Sequence, residues 1–234
     1  MRSWLRSAWH VPRRHPDFDV WERRGEIIAR LAPGKSFIDV GGMWSVHGRT
    51  AFLAEEAGAE RVTVVDVMLA TPEFEAERMR RESAVAYATG DLHDAKAIGE
   101  LGEFDVVWCT GVLYHTPNPL VQVENLGRLA RSTLVLGTRV IPEVPGVEQA
   151  CVFYPLQSAQ AQAEWARGMG DEVLRPGATA PFRRDLTYEN WWWGMSPSAV
   201  RAMLDLAGFS VVEEHSPTPF MTDFVACRDE RPAG

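Results

Sequence analysis

His115 ends the stretch Gly111-Val112-Leu113-Tyr114-His115, which follows an apolar run from Phe104 to Cys109. An imidazole with an unperturbed pKa of about 6.5 can take a proton from a hydroxyl at neutral pH. The alternative is a histidine that orients an acceptor or holds the loop. Upstream, acids recur at the ends of short apolar runs: Asp39 in SFIDV before Gly41 and Gly42, Asp66 closing RVTVVD, and Asp91 ahead of Leu92 in TGDL. A carboxylate ending a second strand can accept two hydrogen bonds from a ribose diol. Asp91 can likewise take an adenine amino group, with Leu92 giving apolar contact. The plainer readings are a solvated turn aspartate for Asp66 and a helix N-cap for Asp91 or Asp94. Trp191, Trp192 and Trp193 are adjacent, and three neighbouring indoles cannot all enter one core. At least one faces a cleft, as an aromatic wall or a partner for a cation, unless the set packs a loop against the body. His47, just past the glycine pair, either faces the same site or starts a helix.

These residues meet only if the chain brings the ends of several strands together. Apolar periodicity predicts a helix from Phe18 to Leu31, stopped by Pro33-Gly34. Strands are predicted at 36–42, 61–66, 84–88, 104–109 and 132–137, with helices at 50–57, 73–82, 95–101 and 119–130 between them. Such alternation means βαβ units with right-handed crossovers and a parallel sheet covered on both faces. After Thr138 a run of prolines and glycines breaks the rhythm until a helix at 198–206 and two strands, 209–214 and 222–228, whose short link makes them antiparallel. The expected architecture is α/β: a Rossmann-like, doubly wound, mostly parallel sheet with an antiparallel last strand. A helical arm occupies 1–33, and the domain 34–234 carries 139–195 as an insertion or lid. In such sheets ligands bind beyond the carboxyl ends of the strands, where strand order reverses, and the acids above fall there.

The ordered series Asp39-Val40-Gly41-Gly42, Asp66, Gly90-Asp91-Leu92 and Phe104-Asp105-Val106-Val107 resembles the motifs of class I S-adenosylmethionine-dependent methyltransferases. Met43-Trp44-Ser45 replaces the usual third loop glycine. The Gly111–His115 stretch with Pro117 and Pro119, and Asn190–Trp193 ahead of Pro197 and Ala207-Gly208-Phe209, are similar to the branch that includes the tRNA wobble-uridine carboxymethyltransferases. The resemblance implies a class I methyltransferase fold and S-adenosylmethionine as cofactor, bound by Asp39, Gly41, Gly42, Asp66, Asp91, Leu92, Thr110 and Tyr114. It leaves His47, Trp191, Trp192 and Trp193 for the acceptor and His115 as the catalytic base. Carboxy-S-adenosylmethionine is the less favoured donor. Tyr114 can bind its carboxylate, but the site would also need a cation, and neither Lys35, Lys96 nor any arginine is placed there by motif.

Composition narrows the partners. A net charge of −8 and a pI near 5.3 oppose a broad grip on nucleic acid, which rests on neutralised phosphates. Arg2, Arg6, Arg13, Arg14, Arg23 and Arg24 form the one basic segment that could hold RNA or an acidic partner. Cys109, Cys151 and Cys227 fit neither a disulfide framework nor a zinc site. With no signal peptide and no apolar run of membrane-spanning length, a cytoplasmic enzyme is expected. No metal-ligand spacing occurs. The favoured function is O-methylation of a small hydroxylated or aromatic metabolite, of the kind found in secondary metabolism. The rivals are a tRNA wobble-uridine-modifying transferase and a protein that binds an adenosyl ligand without methylating.

Overall fold

The structure is a computed structural model that describes residues 20–163 and 182–229. Its elements in chain order are α1 Val20–Leu31, β1 Ser36–Val40, α2 Arg49–Glu56, β2 Arg61–Asp66, α3 Pro72–Arg81, β3 Ala86–Thr89, α4 Ala95–Glu100 and β4 Phe104–Thr110. After a single 3₁₀ turn at Leu113–His115 come α5 Pro119–Leu129, β5 Ala130–Arg139, β6 Cys151–Phe153, β7 Trp193–Met195, α6 Pro197–Leu206, β8 Phe209–Thr218 and β9 Met221–Arg228. Seven strands form one sheet in the order β3-β2-β1-β4-β5-β9-β8. β1 to β5 pair in parallel, and β9 lies antiparallel between β5 and β8. Strand order reverses between β1 and β4, which puts the ligand crevice beyond Val40 and Thr110.

The central strands are apolar on both faces because both are covered. Along β4, Val106 and Trp108 enter one core and Val107 and Cys109 the other. The first core joins Val107, Leu134 and Phe224 to Leu126 of α5 and Leu204 of α6. The second joins Phe37, Trp108, Val135 and Val225 to Ile27 and Ile28 of α1 and Phe52 of α2, so α1 is part of the domain's packing. Helix starts follow local chemistry. The Thr71 hydroxyl accepts from the Phe74 amide (3.2 Å) ahead of Pro72, and the Ser196 hydroxyl accepts from the Ala199 amide (3.3 Å) ahead of Pro197.

Two boundaries moved for tertiary reasons. β5 extends beyond the predicted 132–137 because pairing with β9 continues to Arg139 opposite Met221. β8 continues past Glu214 through Pro217, which an edge strand with register shifts tolerates. The segment after Arg139, expected to be irregular, contains the ribbon β6-β7, with Cys151 opposite Met195. It is tied to the main sheet where Val140 bridges Met195 and the Ile141 amide donates to the Met195 carbonyl (3.0 Å). Residues 164–181 of that segment lie outside the described residues. So do Phe18, Arg2, Arg6, Arg13 and Arg14.

Candidate functional site

The glycine pair after β1 is required by close packing. Gly41 has φ 79°, and a Cβ there would lie 2.3 Å from Cγ2 of Val112; at Gly42 it would lie 2.5 Å from Oδ2 of Asp39. The space predicted for a ligand is therefore shared with Val112 and Asp39. Asp66 closes the same loop: its Oδ2 accepts from the Met43 amide (2.9 Å) and its Oδ1 from the Met68 amide (3.0 Å). It is buried rather than a solvated turn residue, and each oxygen keeps a further lone pair for a ligand donor.

Asp39 differs. It is buried, its Oδ2 has no hydrogen-bond partner, and burial pushes its carboxyl up to about 7, with Asp66 adding to the rise and Arg24 opposing it. The folded protein thus keeps this proton to near pH 7, whereas an unfolded aspartate loses it near about 3.9. Stability linked to Asp39 falls as pH rises between those values and is level above them. Asp39→Asn removes that penalty. Urea unfolding should find the ligand-free variant more stable than its parent at pH 8, by on the order of 4 kcal/mol, with the gain gone at pH 4. A gain that does not depend on pH would show that Asp39 is not the titrating group.

On the far side of the switch point the 3₁₀ turn presents Tyr114 and His115 to Trp191. The Tyr114 ring lies 4.1 Å from His115 and 4.8 Å from Trp191, and the His115 and Trp191 planes are perpendicular. His115 Nδ1 is 2.9 Å from the Asn190 carbonyl. A carbonyl only accepts, so Nδ1 carries the hydrogen and Nε2 the lone pair. Burial lowers the His115 pKa, opposed by the bond to Asn190 and aided by Arg139, so the ring is neutral at pH 7. Asn190 is itself fixed: its amide nitrogen donates to the carbonyls of Arg183 (2.8 Å) and Leu186, and its Oδ1 accepts from the Arg183 amide (3.0 Å). The Trp192 amide also donates to the Tyr114 carbonyl (2.9 Å).

The three tryptophans diverge. Trp191 is buried against Tyr114, His115 and Tyr154. Trp192 packs on Phe153 and Phe182, and Trp193 packs on Phe153 while its indole donates to the Pro117 carbonyl (3.1 Å). Only Trp191 joins His115. His47 stands elsewhere, with Nδ1 3.0 Å from the Thr71 hydroxyl and 3.8 Å from Glu73 at the head of α3. The Thr110 hydroxyl accepts from the Trp108 indole (3.3 Å), and Leu92 is buried with Val65 and Ile98 in the first core.

Asp91 belongs to a side-chain chain that its neighbours in sequence do not reveal. Its Oδ1 accepts from the Tyr188 hydroxyl and from the His93 amide (2.8 Å). With the Tyr188 proton so committed, His93 Nδ1–H donates to the Tyr188 oxygen (2.8 Å), and His93 Nε2 accepts from the Thr116 hydroxyl (2.6 Å). The series ties the β3 loop to the 3₁₀ turn and the tryptophan segment. Asp94, not Asp91, caps α4, accepting from the Lys96 and Ala97 amides. Among the described residues no group of three or more His, Cys, Asp or Glu could hold a metal ion.

Two further residues have roles that the sequence does not show. Arg24 of α1 makes a bidentate bond to Asp223 of β9, Nε to Oδ2 and Nη2 to Oδ1, both 2.8 Å, with both residues buried. No local pattern could join positions 199 apart. Arg139, at the end of β5, acts electrostatically on Tyr114 and His115.

Comparison with known proteins agrees with this fold. Residues 42–133 match the family described as Methyltransferase domain. A tRNA U34 carboxymethyltransferase of Chromohalobacter salexigens is 28% identical over 228 residues, covering 90% of this chain and 65% of that one. Another, from Colwellia psychrerythraea, is 25% identical over 96% of this chain and 72% of its own length. The chain thus spans about two thirds of the length of these curated relatives. The crystal structure of the N-terminal domain of EvdMO1 with SAH bound superposes with a TM-score of 0.61 at 16% identity, over 92% of this chain and 82% of that one. Among the described residues no helix is long and apolar enough to cross a membrane. Residues 42–133 are thus similar to a methyltransferase domain, and the sheet has the class I methyltransferase fold.

Proposed function

We propose that the protein transfers a methyl group from S-adenosylmethionine to a hydroxyl of a small hydroxylated or aromatic acceptor, a metabolite of the natural-product type, with His115 as general base. One observation carries the reading: the Nδ1 bond to the Asn190 carbonyl leaves a neutral imidazole whose Nε2 is the proton-accepting atom. Bound S-adenosylmethionine supplies a methyl already activated on a sulfonium, so the protein's task is alignment, proton removal and exclusion of water. The unpartnered Asp39 oxygen suits a cationic ligand, and Asp66 and Asp91 suit the nucleoside. Trp191 forms the aromatic wall for the acceptor, with Tyr114 shared between it and the donor pocket. Residues 139–163 and 182–195, with the N-terminal helix, cover the acceptor pocket, while Trp192 and Trp193 support that segment and His47 serves the glycine loop.

Calorimetric titration with S-adenosylmethionine, S-adenosylhomocysteine, NAD and carboxy-S-adenosylmethionine tests the cofactor. Binding of the first two and not NAD is expected; failure of every adenosyl ligand to bind overturns the reading. Methyl transfer to a panel of phenols and alcohols, followed by mass spectrometry, tests the acceptor. A second reading, modification of a tRNA wobble uridine with either donor, is favoured by the names of the two curated relatives. It requires tRNA binding that weakens steeply with salt in a gel shift, and no binding at low salt rejects it. Retention of intact cofactor with no transfer to any acceptor would instead mark a binding protein of the same fold.

A further inference from the structure

We propose that Arg139, with the Tyr114 hydroxyl, is the receptor for a carboxylate on the acceptor, so that the substrate is a hydroxylated carboxylic acid. This rests on the methyltransferase reading above and specifies the substrate of that site.

Arg139 is the last residue of β5 and half-buried. By strand alternation it shares a face with Gly137 and Val135, the face on which Arg24 meets Asp223. The two guanidiniums at this end of the sheet are in opposite situations. Arg24 is saturated by the bidentate Asp223. Arg139 forms no ion pair with any carboxylate among the described residues, although the chain carries an excess of acids. β5 packs against the turn that carries Tyr114 and His115, and the Arg139 charge acts on both. A partly buried guanidinium without an anion is costly, and its planar fork matches a carboxylate through two parallel hydrogen bonds.

Position assigns the anion to the acceptor. Asp39, Asp66 and Asp91, the groups suited to the donor, lie at the ends of β1, β2 and β3, on one side of the switch point. Arg139 lies on the other, two strands from β1 and beside the base. A carboxylate held there would anchor the acceptor within reach of His115, so its reacting hydroxyl and its acid group are near neighbours in one small molecule. The same chemistry could come from a carboxylated donor, and the test separates the two sources.

Isotope-labelled protein is titrated with benzoate and with benzamide at constant ionic strength, free and saturated with S-adenosylhomocysteine. The Arg139 Nε signal is followed, assigned by its loss in Arg139→Gln. A saturable shift with benzoate is expected, at least about tenfold tighter than with benzamide, retained under S-adenosylhomocysteine and absent from Arg139→Gln. Unchanged melting temperature and unchanged S-adenosylhomocysteine affinity show that the variant is folded. The proposal is overturned if benzoate causes no saturable shift or binds no better than benzamide. It is equally overturned if Arg139→Gln binds benzoate as its parent does, or if carboxy-S-adenosylmethionine alone among the donors excludes benzoate, which assigns Arg139 to the donor. Failure of S-adenosylhomocysteine itself to bind sinks the methyltransferase reading, and the free-protein titration still decides the anion site.

Discussion

His115→Ala lowers turnover by about 100-fold or more while leaving the affinity for S-adenosylmethionine essentially unchanged. The loss is in the rate because the imidazole acts on the acceptor's proton, whereas the donor's contacts lie with acids on other strands. A loss of about 100-fold corresponds to roughly 2.7 kcal/mol of barrier, a usual magnitude for one positioned base. The pH profile adds an independent check. Burial lowers the pKa of His115, so the neutral, proton-accepting form prevails at pH 7 and is lost only as pH falls through that lowered value. The acidic limb of kcat should therefore lie below the ordinary histidine value of about 6.5 and should vanish in the variant. Single-turnover rates on the acceptor that proves active, beside calorimetry with the donor, make the measurement. Full turnover in the variant would remove His115 as the base and leave it a loop residue.

Arg24→Met destabilises the protein by about 3–5 kcal/mol, the usual consequence of removing one partner from a buried, hydrogen-bonded ion pair. Asp223 is 1% exposed and would keep a charge with no counter-ion. It cannot relax toward β5, because Gly137 stands opposite with so little room that a Cβ there would come within 2.2 Å of Asp223 Oδ1. The double variant Arg24→Met/Asp223→Leu should be less destabilised than the single one, since no uncompensated charge remains. Urea midpoints of the parent, both single variants and the double close the cycle. A cost within about 0.5 kcal/mol for Arg24→Met would place the pair among solvent-screened ion pairs instead.

The sheet was legible because β-branched runs such as Arg61–Asp66 and Phe104–Thr110 are apolar on both faces, and only a covered parallel sheet asks for that. The acids were legible for a different reason: they end those runs, and the fold brings the ends together. Roles that depend on who stands opposite were not legible. Asp91 and Asp94 looked alike as helix caps, and only the arrival of Tyr188 from across the fold distinguishes them. The three tryptophans are equivalent in the sequence, yet only Trp193 lies in the short strand paired with β6, while Trp191 turns to Tyr114 and Trp192 to Phe182. Arg24 read as one more residue of a basic segment. Its partner lies at the other end of the chain, on a strand whose register puts Asp223 beside Gly137. Arg139 fell where the regular pattern was expected to break, because antiparallel pairing lengthened β5 beyond its apolar run.

The bond between α1 and β9 also bears on how the protein is made. Ribosomes release a chain from its first residue onward, and domains generally form as units during that release. Here a helix near the start is locked by an aspartate 199 positions later. The strand carrying that aspartate completes the middle of the sheet, between β5 and β8. A nascent chain emerging in order can pair β1 to β5 but must leave Arg24 without its counter-ion until β9 is free. Closing so long a loop is slow. The apolar rim of β5 stays open to other chains until β9 has emerged and paired, and misassembly through that edge is open for as long.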